Sequence, residues 1–147
     1  MPSCSLERRL PHSPEQIFDL VIDVEHYQEF LPLDFSARVM RRQPGQIQAR
    51  QSLRIGPMSL SYESTAAHHR PDWIRIESIS GPFSRFLIVW DFIRMERGSL
   101  VRIQVECSTH SAPLSALLAP WMETFTNGLV SAFEKRAQAV YGANPGK

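Results

Sequence analysis

Along residues 99–110 the side chains change character at every step. Val101, Ile103, Val105 and Cys107 fall on one parity, and Arg102, Gln104 and Glu106 on the other. Alternation of period two marks a strand with one dry face and one wet face. The same pattern holds in 73–80, where Ile74 and Ile76 oppose Arg75 and Glu77. It holds again in 46–55, where Ile47, Ala49, Leu53 and Ile55 oppose Arg50 and Arg54. Pro44-Gly45, Gly56-Pro57, Arg70-Pro71-Asp72, Gly81-Pro82 and Gly98-Ser99 supply turn signals between such stretches. They delimit six predicted strands near 35–43, 46–55, 58–69, 73–80, 84–96 and 99–110. Connections this short favour antiparallel neighbours. Residues 4–10 form a seventh predicted strand, ahead of the first helix.

Helical periodicity frames the strands. Ser13-Pro14-Glu15-Gln16 reads as a helix start, with Ser13 as cap, Pro14 at the first helical position and Gln16 closing a capping box. Ile17, Leu20, Val21 and Val24 then share one helical face. A second, short helical turn is predicted to hold Tyr27 and Phe30 and to stop at Pro32. After residue 111, Leu114, Leu117, Leu118, Trp121, Met122, Phe125, Leu129, Phe133, Ala137 and Val140 trace a stripe at spacings of three and four. Gly142 ends this long helix, and Pro120 is expected to kink or restart it. Strand, helix pair, six strands, long helix is an α+β order, with the long helix covering the apolar face of the sheet. A length of 147 residues suits a single domain over 1–147.

The strand 84–96 adds aromatic weight. Phe86, Ile88, Trp90 and Phe92 share the inward parity. The other parity holds Leu87, Val89 and Ile93, which are predicted to form an exposed apolar patch. Tyr27, Phe30, Tyr62, Trp90, Phe92, Trp121, Met122 and Phe125 can converge on one space. Pattern alone is compatible with a solid core and with a cavity.

Composition, at 43% hydrophobic and 21% charged, is that of a folded globular chain. No apolar run reaches the ~20 residues of a membrane-spanning helix, and the N-terminus has no signal-peptide core. A cytoplasmic, bacterial protein is expected, with Cys4 and Cys107 reduced. A net charge of +1 gives no general attraction to nucleic acid, but the charge is unevenly placed. Residues 15–34 carry only acids, and 38–54 only arginines. Arg38, Arg42, Arg50 and Arg54 share an outward parity and are predicted to form one basic stripe. Such a stripe is a solvated face, or a contact for anionic lipid headgroups or RNA phosphate.

Catalytic signals are sparse. His68 and His69 are adjacent in a strand and point to opposite faces, so they do not share a metal. His12, His26 and His110 stand alone, and no CxxC, HExxH, GxGxxG or P-loop spacing occurs. No catalytic or metal-binding residue is assigned. Asp91, within "FLIVWDFIRM", is expected to pair across strands with Arg75 or Arg102.

Three stretches carry a resemblance. "SPEQIFDLVIDVEHYQEFLP", "SGPFSRFLIVWDF" and "AFEKRAQAVYG" are together similar to the coenzyme-Q-binding START-like proteins. These belong to the polyketide cyclase/dehydrase and lipid transport group, which includes bacterial proteins labelled ribosome-association toxins. The resemblance covers nearly the whole chain. It implies a helix-grip (START/Bet v 1-like) fold, a seven-stranded antiparallel sheet curved around the long C-terminal helix, with an apolar tunnel between them. It implies a ligand-binding wall of Tyr27, Phe30, Leu31, Pro32, Tyr62, Phe86, Trp90, Phe92, Leu118, Met122, Phe125 and Leu129. Met122 and Phe125 are expected to face Trp90 across the space. The implied ligand is hydrophobic, a polyprenyl quinone such as ubiquinone foremost, carried without catalysis in support of respiration. No other cofactor is implied. Two departures stand out: Ser84 follows Gly-Pro-Phe where members carry lysine, and Ile88-Val89 precede Trp90 where members carry polar residues or glycine. Two alternatives remain. One is a polyketide aromatase/cyclase relying on Tyr62, Ser64 or His68; the other is a ribosome-binding, toxin-like protein using the arginine stripe. Arg38, Arg42, Arg50, Arg54, Leu87, Val89 and Ile93 are the expected surface contacts, including peripheral contact with an anionic inner membrane.

Overall fold

The computed structural model describes residues 3–31, 34–55 and 57–142, with Ile55 described by its backbone only. β1 (Ser3–Leu10) leads into α1 (Pro14–Ile22) and a 3₁₀ helix (Val24–Glu29). β2 (Asp34–Gln43), β3 (Gln46–Ile55), β4 (Met58–His69), β5 (Trp73–Ser78), β6 (Phe83–Arg94) and β7 (Ser99–Thr109) follow, and α2 (Ala112–Tyr141) closes the chain. The strands form one antiparallel sheet in the order β1-β7-β6-β5-β4-β3-β2. β1 and β2 are consecutive strands yet stand at opposite edges. The chain between them must therefore cross the concave side of the sheet, and α1 and the 3₁₀ helix make that crossing.

Local chemistry sets the helix ends. The Ser13 hydroxyl accepts from the Gln16 backbone N–H, and the Gln16 side chain accepts from the Ser13 N–H. Such a cap contributes about 1 kcal/mol. Ile17, Phe18 and Val21 go into the core from the inward face of α1. The Tyr27 hydroxyl donates to the Val21 carbonyl and ties the 3₁₀ helix back to α1. His12 is fully buried, and its Nε2 donates to the Gly142 carbonyl at 3.1 Å, where α2 ends. A histidine that looked isolated in the sequence is thus a clamp between the two ends of the fold.

Three features differ from the sequence pattern. α2 runs unbroken through Pro120. The missing N–H deprives the Ala116 carbonyl of its helical donor, but Ala116 and Pro120 are both exposed, which leaves this stretch open to hydration. β5 stops at Ser78 rather than at residue 80. There Ser78 Oγ donates to the Glu63 carbonyl and Ser80 Oγ accepts from the Glu63 N–H at 2.7 Å, so side chains replace the ladder. Gly81 follows with φ +63, where a Cβ would strike the Ser61 carbonyl oxygen. Finally, a bulge interrupts β2 between Val39 and Arg41. Among the described residues, no helix is long and apolar enough to cross a membrane.

Candidate ligand-binding site

The inward parities of β3 to β6 meet α2 and the 3₁₀ helix around a cavity of about 70 Å³. Val21, Ile22, Val24, Tyr27, Leu31 and Phe35 form one wall. Ile47, Ala49, Gln51, Leu53, Tyr62, Ser64 and Ala66 form the floor on β3 and β4. Ile74, Ile76, Phe86, Ile88 and Trp90 continue it across β5 and β6, and Phe125 and Leu129 hang from α2. Among the described residues, no acid, lysine, arginine or histidine lines it. A smaller void of about 20 Å³ lies next to it, and Leu53, Phe86 and Phe125 line both.

Polar groups are few and grouped on the floor. Gln51 and Tyr62 are directly opposed across β3 and β4, and Ser64 lies two residues along on the same face. Ser64 Oγ donates to Gln51 Oε1 at 2.7 Å. Among the described residues, the Gln51 amide nitrogen and the Tyr62 hydroxyl have no hydrogen-bond partner. Burial pushes both the Tyr27 and Tyr62 phenols up, so each remains a neutral donor. Burial lowers His68, which sits edge-on to Phe18 outside the cavity lining.

Of the twelve residues expected on the wall, Tyr27, Leu31, Tyr62, Phe86, Trp90, Phe125 and Leu129 line the main cavity. Leu118 and Met122 line the smaller void. Phe30 and Phe92 line neither. Phe30, just past the end of the 3₁₀ helix, lies against Phe133 at 5.3 Å with the Arg136 guanidinium 5.0 Å from its ring centre, on the flank of α2. Phe92 stacks on Trp90 at 6.1 Å and meets Phe18, one inward step beyond the cavity's end. Pro32 lies outside the described residues. Trp90 has one side on the cavity, but its helical partner is Phe133 at 5.4 Å rather than Met122. Gln51 is the main residue missing from the sequence reading. It shares the parity of Ile47, Ala49 and Leu53, so the alternation that assigned them also assigns it.

The outer surface departs from the sequence expectation in three places. The bulge in β2 sets Arg42 opposite the inward-facing Ile47, and Arg42 pairs with Glu25 of the 3₁₀ helix at 3.5 Å. Arg42 therefore leaves the basic stripe, because one extra residue reverses the parity. Arg38 and Arg50 stay directly opposed, and Arg50 pairs with Glu63 on its other side. The apolar patch also shrinks. Ile93 is exposed and Val89 half-buried, but Leu87 is only 8% exposed. It sits between Glu77 and Glu106 on the flanking strands, which pair with Arg75 and Arg85. The stems of these long side chains cover apolar surface while their heads stay wet. Asp91 lies opposite Arg102 but forms no ion pair among the described residues; Arg102 turns to Glu7 and Arg75 to Glu77.

The family model for polyketide cyclase / dehydrase and lipid transport matches residues 10–134. The Ribosome association toxin RatA of Rickettsia prowazekii is 29% identical over 135 residues, covering 89% of this chain and 92% of that one. The mitochondrial Coenzyme Q-binding protein COQ10 of Dictyostelium discoideum is 22% identical over 147 residues, covering 95% of this chain and 70% of that one. The crystal structure of the Zhui aromatase/cyclase from a Streptomyces species superposes with a TM-score of 0.85 at 12% identity, covering 99% of this chain and 98% of that one. The chain belongs to the polyketide cyclase / dehydrase and lipid transport family, and its fold is the helix-grip fold.

Proposed function

We propose that this family member binds the ring of an apolar, oxygen-bearing lipid in the cavity between sheet and helix, a polyprenyl quinone in the first instance, and carries it without catalysing its conversion. The observation that supports carriage over catalysis is the chemistry of the lining. Among the described residues it has aromatic and aliphatic walls, three neutral polar side chains on the floor, and no carboxylate, ammonium or imidazole. Cyclisation of a polyketide needs a group that gives and takes protons near neutral pH. Tyr27 and Tyr62, pushed up by burial, are poor at it. The similarity to a coenzyme Q-binding protein supports the quinone within the wider lipid-binding reading.

Size restricts the mode of binding. A volume of about 70 Å³ admits a handful of water-sized bodies at most, against roughly 10–15 Å³ for one. A ring enters with small displacements of the wall; a polyprenyl tail does not fit and must leave through the side of the cavity. The test is to purify the protein, extract it with organic solvent and identify small molecules by mass spectrometry. A prenylated quinone at a substantial fraction of the protein concentration is expected. The absence of any apolar molecule, together with no binding of added short-chain quinone, refutes carriage.

The similarity to ribosome association toxins favours a second reading, in which Arg38, Arg50 and Arg54 on the outer sheet face meet ribosomal RNA. Salt separates the two. Phosphate contacts weaken steeply as salt rises, and apolar binding does not. Co-sedimentation with ribosomal subunits that fails at low salt sinks the second reading.

A further inference from the structure

We infer that the floor of the cavity is a reader for a ring oxygen: Tyr62 Oη and Gln51 Nε2 form a two-donor site for a carbonyl or hydroxyl acceptor, and Ser64 holds the Gln51 amide in orientation. This rests on the cavity being the ligand site and adds the chemical class of what it accepts, an oxygenated ring in preference to a pure hydrocarbon. Tyr62 is 7% exposed and Gln51 is 6% exposed, and both line the cavity. A buried donor without an acceptor is costly, so such groups are nearly always satisfied. Here two neutral donors without a protein partner face an otherwise apolar cavity, from directly opposed residues of β3 and β4. Ser64 determines which end of the amide is free. Its hydroxyl donates to Gln51 Oε1 at 2.7 Å, so the oxygen is taken and the NH₂ is left for the cavity. Tyr62 and Gln51 spring from directly opposed positions, with Cβ atoms about 5 Å apart, and the inferred site has their tips converge on one oxygen. In the empty protein, water in the cavity can serve the same groups. A ligand oxygen replaces that water; a hydrocarbon displaces it and leaves both donors bare.

The test uses two flat probes of one carbon skeleton, duroquinone and durene, which differ by two carbonyl oxygens. Duroquinone is fully methylated and has no open ring carbon for a thiol to attack. Affinities for both are measured by chemical-shift titration with the parent protein, Tyr62→Phe and Gln51→Leu. Tyr62→Phe removes only a hydroxyl that has no protein partner, so the empty variant should melt no lower than the parent. Each substitution is expected to weaken duroquinone by roughly five- to tenfold, the worth of one neutral hydrogen bond. Durene affinity should stay within twofold of the parent or rise. Gln51→Leu also strands the Ser64 hydroxyl; if that variant fails to fold, the Tyr62→Phe result decides. Equal losses for both probes, or no loss for duroquinone, overturn the two-donor site and leave the cavity as a plain apolar one. If neither probe binds the parent protein, the cavity reading falls and this inference falls with it.

Discussion

The two halves of α2 lie over one sheet and behave as different materials. In 126–141, Thr126, Leu129, Val130, Ala132, Phe133 and Ala137 are all buried. Side chains tie this half to the rest of the fold. Arg8 reaches Ser131 and Glu134, Arg136 reaches Glu29, and the Tyr141 hydroxyl donates to the Gln16 carbonyl. In 112–125 only Leu118 and Met122 are buried, Leu117 is 54% exposed, and Trp121 and Phe125 are half-exposed. Where the helix is tied, Phe133 packs edge-on against Trp90 and Tyr27. In the less buried half, Ser115 bonds to Thr109 at the helix's start, and Phe125 lines both voids. One element therefore supplies the anchor of the fold and the adaptable roof of the site. On the proposed reading, a ring would enter so small a cavity by displacing the less buried half of α2, while the other half holds its packing on the sheet.

The largest break in this contrast comes from the anchor. Phe133→Ala should cost about 3–5 kcal/mol, the usual penalty for emptying a packed aromatic site, and urea denaturation measures it. A loss below ~1 kcal/mol would mean the tied half is no better packed than the loose one. Trp90→Ala falls between the extremes, at about 2–3 kcal/mol, because Phe133 and Phe92 pack on Trp90 while another part of it lines the cavity. Quinone affinity should fall in the same variant.

Phe125→Ala should cost only about 1 kcal/mol, mainly its stack on Trp121 at 4.6 Å. Its sharper readout is chemical. Burial pushes the Cys107 thiol up to about 11, and Cys107 lines the smaller void under Phe125. At pH 8 it is protonated and shielded, so an aromatic disulfide reagent should modify half-exposed Cys4 first and Cys107 much later. Opening the roof with Phe125→Ala should speed the second phase; an unchanged rate means the roof is rigid. The pH dependence has a definite sign. The unfolded thiol ionises near 9.0 while the folded one waits until about 11, so Cys107 lowers stability as pH rises from 9 toward 11 and not below.

The strands, their antiparallel order and the inward parities were legible in the sequence because alternation and turn dipeptides are local signals. They carry Tyr62, Phe86 and Trp90 to the cavity wall, and the same alternation carries Gln51 there, although its polarity by itself argues for the outer face. What was not legible depends on neighbours distant in the chain. The bulge at Val39–Arg41 has no glycine or proline to announce it, and it alone turns Arg42 from the outer stripe to Glu25. Leu87 has an outer-face parity, and its burial comes from charged stems on β5 and β7 that no local window contains. Phe30 follows Tyr27 by three residues and both rings meet Phe133, yet Tyr27 lies within the 3₁₀ helix and lines the cavity, while Phe30 lies one residue past its end and does not.

The smallest expected effect is also the most direct check on the loose half. Pro113, Ala116, Leu117 and Pro120 recur at spacings of three and four, so they share one face of α2, and all four are exposed. No charged residue lies between Ser111 and Met122. Leu117→Lys places a charge on that face. If the face is open to water, the change in stability should stay within about 0.5 kcal/mol, as for surface substitutions generally. The lysine is also a good helix former, so propensity does not oppose it. A loss above ~1.5 kcal/mol would mean that Leu117 packs against the chain and that the two halves of α2 are equally held. Quinone affinity supplies the second arm. Leu117 lines neither void, so binding should not change, in contrast to Phe125→Ala eight residues away on the cavity side. A drop in affinity with unchanged stability would place the ligand's exit over this face of the helix, and the roof would then be the path of the tail as well as the cover of the ring.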